Sequence, residues 1–82
     1  MTKPVGVIGS GSFGTAIAKI LSKNSDVYLF SRRPEVITQI NTQHTNLGVV
    51  LEDNIRAIDN LEILANECDV IFPIIHRIAR NV

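Results

Sequence analysis

The sequence has no tryptophan, a single cysteine and no net charge, and it lacks any long uninterrupted apolar run. Each shortage excludes a class of protein. A lone Cys68 forms neither an intramolecular disulfide nor a cysteine metal cluster. Eight basic residues balance eight acidic ones, so no basic patch marks a nucleic-acid partner. No apolar stretch approaches the roughly 20 residues of a membrane span. Met1-Thr2-Lys3-Pro4 leads at once into an apolar run and lacks the layout of a signal peptide. These features make the cytoplasm the default expectation. At 82 residues the chain has room for one small domain, residues 1–82. A domain of that size buries only about 60% of its unfolded surface.

Glycine is scarce too, yet three of the five glycines fall within six residues. Val5-Gly6-Val7-Ile8 runs into Gly9-Ser10-Gly11-Ser12-Phe13-Gly14, and a helical pattern follows immediately. This strand, G-x-G-x-x-G turn and helix are the context that a dinucleotide fingerprint requires. In it Gly9 permits the tight turn, Gly11 lets backbone approach a pyrophosphate, and Gly14 lets the helix lie close to the strand. The phosphates then meet free N–H groups at the positive end of the helix dipole.

Beyond the turn, Phe13, Ala16, Ile17, Ile20 and Leu21 fall at i, i+3, i+4, i+7 and i+8, which predicts one apolar helix face ending near Asn24-Ser25. Asp26 to Phe30 reads as a second strand. Ser31-Arg32-Arg33 is a loop, and Pro34 opens a helix whose buried face is Val36, Ile37 and Ile40. Thr42 to Asp53 is polar and turn-rich around Gly48, with an apolar patch at Val49-Val50-Leu51. Asn54 to Ile58 is a third strand. A further helix is expected with Asp59 as cap, Glu62 reaching back, and Leu61, Leu64, Ala65 and Cys68 facing inward. Asp69 to Ile75 is a fourth strand, in which Pro73 is awkward because proline removes a ladder hydrogen bond. Alternating strands and helices imply an α/β fold, a partial Rossmann doubly wound parallel sheet of strand order 3-2-1-4. The glycine turn then lies at the switch point where ligands bind. A full doubly wound domain carries two more strands, so the expected fold is truncated.

Cofactor choice rests on the end of the second strand. An NAD-selective domain has an Asp or Glu about 20 residues beyond the turn to hold the ribose 2′-hydroxyl. Phe30-Ser31 stands there instead, followed by Arg32 and Arg33. Guanidinium groups pair bidentately with phosphate, which favours NADPH over NADH, although arginines also stack on adenine. A solvated basic loop is the bland alternative. His44 and His76 have no carboxylate or cysteine at metal-ligand spacing and read as surface residues. Cys68 reads as a small apolar residue, and Glu62 and Glu67 as capping and solvating groups.

The run Val7-Ile8-Gly9-Ser10-Gly11-Ser12-Phe13-Gly14-Thr15-Ala16 resembles the opening of bacterial-type NAD(P)-dependent glycerol-3-phosphate dehydrogenases. The resemblance continues through Val27-Tyr28-Leu29-Phe30-Ser31-Arg32-Arg33-Pro34-Glu35, Ile40-Asn41, Asn46 and Leu51-Glu52-Asp53-Asn54-Ile55-Arg56-Ala57. It extends more loosely to Asp59-Asn60-Leu61 and Cys68-Asp69-Val70-Ile71. It implies that Ser12, Phe13, Arg32 and Arg33 contact the dinucleotide, although Phe13 is equally suited to core packing under the helix. It implies reduction of dihydroxyacetone phosphate to sn-glycerol 3-phosphate for phospholipid synthesis, at a lysine-containing site. A homodimer of the longer form is compatible with it.

Two departures stand out. The family usually ends its fourth strand with an aliphatic residue and Pro-Ser, whereas this chain has Pro73-Ile74-Ile75-His76 and a poorly matching tail to Val82. The substrate domain and its catalytic lysine are also absent, since none of Lys3, Lys19 and Lys23 stands where that lysine would. The small phosphorylated substrate is therefore expected to bind only through a missing C-terminal domain. The expectation is the cofactor-binding part of such a dehydrogenase, inactive alone. The alternatives are a non-catalytic dinucleotide-binding module or remnant, and another two-domain reductase of ketopantoate or hydroxyacid type.

Overall fold

A computed structural model describes residues 3–74. Four short strands, β1 (Val5–Ile8), β2 (Val27–Phe30), β5 (Ile55–Ile58) and β6 (Val70–Pro73), form one parallel sheet in the order β5-β2-β1-β6. Counting only these four, the order is the expected 3-2-1-4. Helices α1 (Ser12–Leu21), α2 (Pro34–Gln43) and α3 (Leu61–Glu67) connect them, and a two-stranded hairpin, β3 (Thr45–Asn46) with β4 (Val49–Val50), lies apart from the sheet. No helix among the described residues is long and apolar enough to cross a membrane.

Alternation along the strands gives the sheet two apolar faces. Val7, Val27, Leu29, Ile55 and Ala57 point to the face that Ala18 of α1 and Ile40 of α2 cover. Phe30 points to the other, with Ile8, Tyr28, Ile58 and Ile71, where Leu64 and Cys68 of the α3 segment pack. Gly6 makes the second packing possible, because a Cβ there would lie 2.7 Å from Leu64 Cδ2.

Several expectations change at this level. On α1 the buried residues are Gly14, Thr15 and Ala18; Ile17 and Leu21 are half-buried, while Phe13, Ala16 and Ile20 are exposed. The small residues face the sheet because only they let the helix axis come close. On α3 the cap is Asn60, whose Oδ1 accepts from the Glu62 N–H at 2.8 Å. The cap thus falls one residue after Asp59, and Glu62 sits too early in the first turn to reach back as a capping box requires. Leu64 and Cys68 are buried as expected, whereas Leu61 and Ala65 are exposed, because this seven-residue helix touches the sheet along one narrow line.

Pro73 is accommodated without loss. It pairs with Ile8, but the next residue, Ile74, donates its N–H to the Ile8 carbonyl at 2.9 Å. Backbone groups alternate sides along a strand, so the imino nitrogen of Pro73 faces away from β1. Among the described strands β6 is at an edge, where proline costs no ladder bond. The last residue expected in this strand, Ile75, and also His76 lie outside the described residues. At the opposite edge Asn41 of α2 donates to the Ala57 carbonyl at 2.9 Å and accepts from the Ala57 N–H at 2.8 Å.

The hairpin was not legible in the sequence. Its two-residue connection, Leu47-Gly48, has φ of 54° and 78°, the signs a type I′ turn needs. Leucine is an unusual occupant, since its Cβ crowds the backbone in the left-handed region. Leu47→Asn is expected to raise stability by about 0.5–1 kcal/mol, visible as a higher Tm.

Two titrations contribute to the alkaline pH dependence of stability. The Tyr28 hydroxyl donates to Glu67 at 3.1 Å, which raises its pKa above 10.0, and burial raises the Cys68 thiol above 9.0. Both groups keep their protons in the folded state at pH values where the unfolded chain has lost them. Their contribution to stability is therefore full below about pH 9 and is lost as the pH rises through the folded-state values. Melting at about pH 7.5 and about pH 10.5 should show a larger drop for the natural protein than for Tyr28→Phe combined with Cys68→Ala.

Candidate dinucleotide site

The chain leaves β1 through Gly9, whose φ of +125° excludes a side chain of ordinary geometry. The Gly9 N–H donates to the Phe30 carbonyl at 3.2 Å, which ties the turn to the end of β2. Gly11 is the N-cap of α1 and offers no side chain, and the first α1 bond runs from the Thr15 N–H to the Gly11 carbonyl at 2.9 Å. The N–H groups of Ser12, Phe13 and Gly14 thus have no intrahelical acceptor. Gly11, Ser12 and Phe13 are all exposed, and no acidic residue stands in the first turn to neutralise the helix dipole. A Cβ on Gly11 would meet open space, whereas one on Gly14 would overlap the Gly9 carbonyl oxygen. Ile74 closes the floor of the turn, within 3.3 Å of the place a Gly9 Cβ would take.

The turn is held by side chains from three directions. Ser10 Oγ donates to Ser31 Oγ at 3.1 Å, and Ser31 Oγ also accepts from the Arg33 N–H at 3.1 Å. Thr15 Oγ1 donates to the Ser10 carbonyl at 3.2 Å. Asn46, on β3, donates from Nδ2 both to that carbonyl and to Thr15 Oγ1, each at 2.9 Å. The residues expected at the site therefore do come together in part. Gly9, Gly11, Ser12 and Phe13 lie together at the carboxyl end of β1, with Gly14 buried against the Gly9 carbonyl. Phe13 is 65% exposed, so its ring is outside both core clusters. Arg32 and Arg33 stand at the end of β2, both exposed. Arg33 is engaged with Glu35, Nε to Oε2 at 3.0 Å. Glu35 titrates below the usual carboxylate value, first through a backbone hydrogen bond and then through Arg33. Arg32 makes no ion pair among the described residues.

Two residues that the sequence singled out, Ser31 and Asn46, have structural roles that it did not reveal. Ser31, where an acid would stand in an NAD-selective domain, is buried and is the hub of the β2 end. Asn46 is 3% exposed and reaches the glycine turn from 36 residues away, on a hairpin that carried no Asn-Gly signal. Beside α1 a groove of about 360 Å³ runs between Ala16, Ile20, Leu47 and Val49, with Ser12 at its upper end. Lys19 crosses beside it, donating to the Val50 carbonyl at 2.8 Å and facing Glu52 at 3.5 Å. Lys3 faces Asp69 at the start of β1, the end away from the turn. No metal-holding group of His, Cys, Asp or Glu side chains occurs among the described residues.

Residues 4–82 match the family model described as the NAD-dependent glycerol-3-phosphate dehydrogenase N-terminus. A glycerol-3-phosphate dehydrogenase (NAD(P)+) of Bacillus licheniformis is 46% identical over 67 residues, covering 76% of this chain and 19% of the relative. One of Streptococcus equi subsp. zooepidemicus is 38% identical over 84 aligned positions, 95% of this chain and 25% of the relative. The chain thus spans a quarter or less of these curated relatives. A crystal structure of a glycerol-3-phosphate dehydrogenase from Coxiella burnetii superposes with a TM-score of 0.78 at 22% identity, covering 88% of this chain and 24% of the other. That likeness shows the shared Rossmann-type fold.

The two outer glycines separate packing from approach. Gly14→Ala should cost about 3 kcal/mol or more, because backbone must move to admit the methyl. Gly11→Ala should leave the Tm almost unchanged yet weaken binding of any pyrophosphate-bearing ligand at least about 10-fold, as measured by calorimetric titration.

Proposed function

This chain belongs to the NAD-dependent glycerol-3-phosphate dehydrogenase family, and from that membership we propose that it is the dinucleotide-binding part of an oxidoreductase that interconverts dihydroxyacetone phosphate and sn-glycerol 3-phosphate. The observation that carries the reading is the exposed amino end of α1 behind a glycine-rich turn, with its first N–H groups unclaimed and no acid in its first turn. That donor set suits a pyrophosphate bridge, and the open space at Gly11 gives it room. Gly9, Gly11 and Gly14 shape the turn, while the Ser12 hydroxyl and the N–H groups of Ser12 and Phe13 face the phosphates. The exposed Phe13 ring lies against the bound dinucleotide, an apolar surface that the protein core leaves unused.

A nicotinamide dinucleotide supplies the hydride that reduces the ketone carbon. The residues described here bind and orient it. No side chain among them is placed to handle the substrate's proton: Lys19 is engaged with Val50 and Glu52, and Lys3 lies at the far end of the sheet. The described residues therefore account for cofactor binding alone. Ser31 in place of an acid removes the partner of a 2′-hydroxyl and the repulsion of a 2′-phosphate. Arg32, exposed beside it, supplies a guanidinium for that phosphate, so the proposed cofactor is NADP or NAD with NADPH favoured. Arg33 has a rival partner in Glu35, and an exposed pair of that kind is weak enough to exchange.

Turnover of dihydroxyacetone phosphate with NADPH by the intact protein tests the reading. Binding of the dinucleotide without turnover would identify a non-catalytic module instead. Arg32→Ala should weaken NADPH binding about 10-fold while changing NADH binding less than about 2-fold. Equal losses for both would refute its assignment to the 2′-phosphate.

A further inference from the structure

We propose that Asn46 is a positioning residue of the dinucleotide site, fixing the peptide plane that aims the Gly11 N–H at the bound pyrophosphate. The inference deepens the dinucleotide reading and rests on it. A trans peptide is planar, and its N–H points opposite its C=O. The Ser10 carbonyl is turned inward, held by Asn46 Nδ2 at 2.9 Å and by Thr15 Oγ1 at 3.2 Å. The Gly11 N–H of the same plane therefore points the opposite way, away from Asn46 and Thr15, on a residue that is itself exposed. Thr15 alone is a loose anchor, because a hydroxyl rotates and the same oxygen accepts from Asn46. The amide nitrogen of Asn46 lies 2.9 Å from both members of the pair, and its direction is fixed by a planar group rather than by a free rotor.

The effort spent to place this side chain supports the assignment. Asn46 is buried on a hairpin flanked by His44 at φ 56° and Leu47 at φ 54°, two non-glycine residues in the left-handed region. Such backbone persists only where the surroundings over-determine it. Lys19, through the Val50 carbonyl, fastens the outer strand of that hairpin to α1, the helix whose amino end forms the site. Without Asn46, glycines on both sides of Ser10 let the Ser10–Gly11 peptide rotate and turn a carbonyl dipole toward the anion.

Asn54 provides the matched control. It is a half-buried asparagine whose Nδ2 likewise has two acceptors, the carbonyls of Ser22 at 2.8 Å and Ser25 at 3.1 Å, at the far end of the sheet. In the intact protein, Asn46→Ala and Asn54→Ala should lower the Tm similarly. Asn46→Ala alone should weaken NADP+ binding, at least about 10-fold by calorimetric titration, and speed amide hydrogen exchange over residues 10–14 without ligand. Asn46→Asp keeps the shape and covers the case in which the alanine variant fails to fold. Its carboxylate repels the Ser10 carbonyl at about pH 8, and on protonation toward about pH 5.5 it donates again, so NADP+ affinity should recover as the pH falls. Natural affinity in Asn46→Ala, or in Asn46→Asp at about pH 8, beside a natural protein that binds NADP+, would overturn the positioning role. Failure of the natural protein to bind NADP+ or NAD+ would overturn the dinucleotide reading itself, and faster exchange in Asn46→Ala would still show the loop restraint.

Discussion

Helix α1 lies where it does because no side-chain atom separates Gly14 from the Gly9 carbonyl. This contact decides the rest of the site. It brings the amino end of the helix directly over the end of β1, so that the dipole and the unclaimed N–H groups share one small surface. It also turns Thr15 inward, where a hydroxyl reaches the Ser10 carbonyl, and it turns Phe13 outward. The network of Ser10, Thr15 and Asn46 assumes that geometry. A helix set one methyl further from the strand would break it.

Much of this was legible in the sequence, and for physical reasons. The order of strands and helices follows from alternating apolar periods and short connections. The glycine turn is visible because Gly9 needs a positive φ and Gly14 meets backbone, while Gly11 leaves open space above the helix start. Pro34 at the first turn of α2 is also readable, since its fixed φ and missing N–H suit that place. Periodicity failed where an element had two apolar faces. Phe13, Ala16 and Ile20 follow a helical spacing as well as Ala18 and Ile17 do, yet they form the exposed flank, because close approach favours the small residues. Periodicity is equally silent about the hairpin, whose strands are two residues long and whose turn uses leucine where asparagine is usual. Asn46 was hidden for the same reason. Its role depends on a contact across 31 to 36 residues that no local pattern encodes.

The charged side chains divide along the sheet. Lys3 and Asp69 meet near the starts of β1 and β6, whereas Arg32 and Arg33 stand where β2 ends, beside the glycine turn. Between them the strands carry almost nothing ionisable on the α1 and α2 face. The exposed Arg32 thus offers local attraction for an anionic ligand at the end of β2.

Asn41 has a consequence for how such a sheet is extended. By occupying both the N–H and the C=O of Ala57, its amide stands in for a neighbouring strand and closes the β5 border to further pairing. At the β6 border the outward backbone of Ile71 has no such substitute among the described residues, so additional strands have one direction in which to join. Growth of the sheet is thereby made vectorial. A strand arriving there meets an N–H and a carbonyl at Ile71 but only a carbonyl at Pro73, and this asymmetry gives it a cue for register as well as for side.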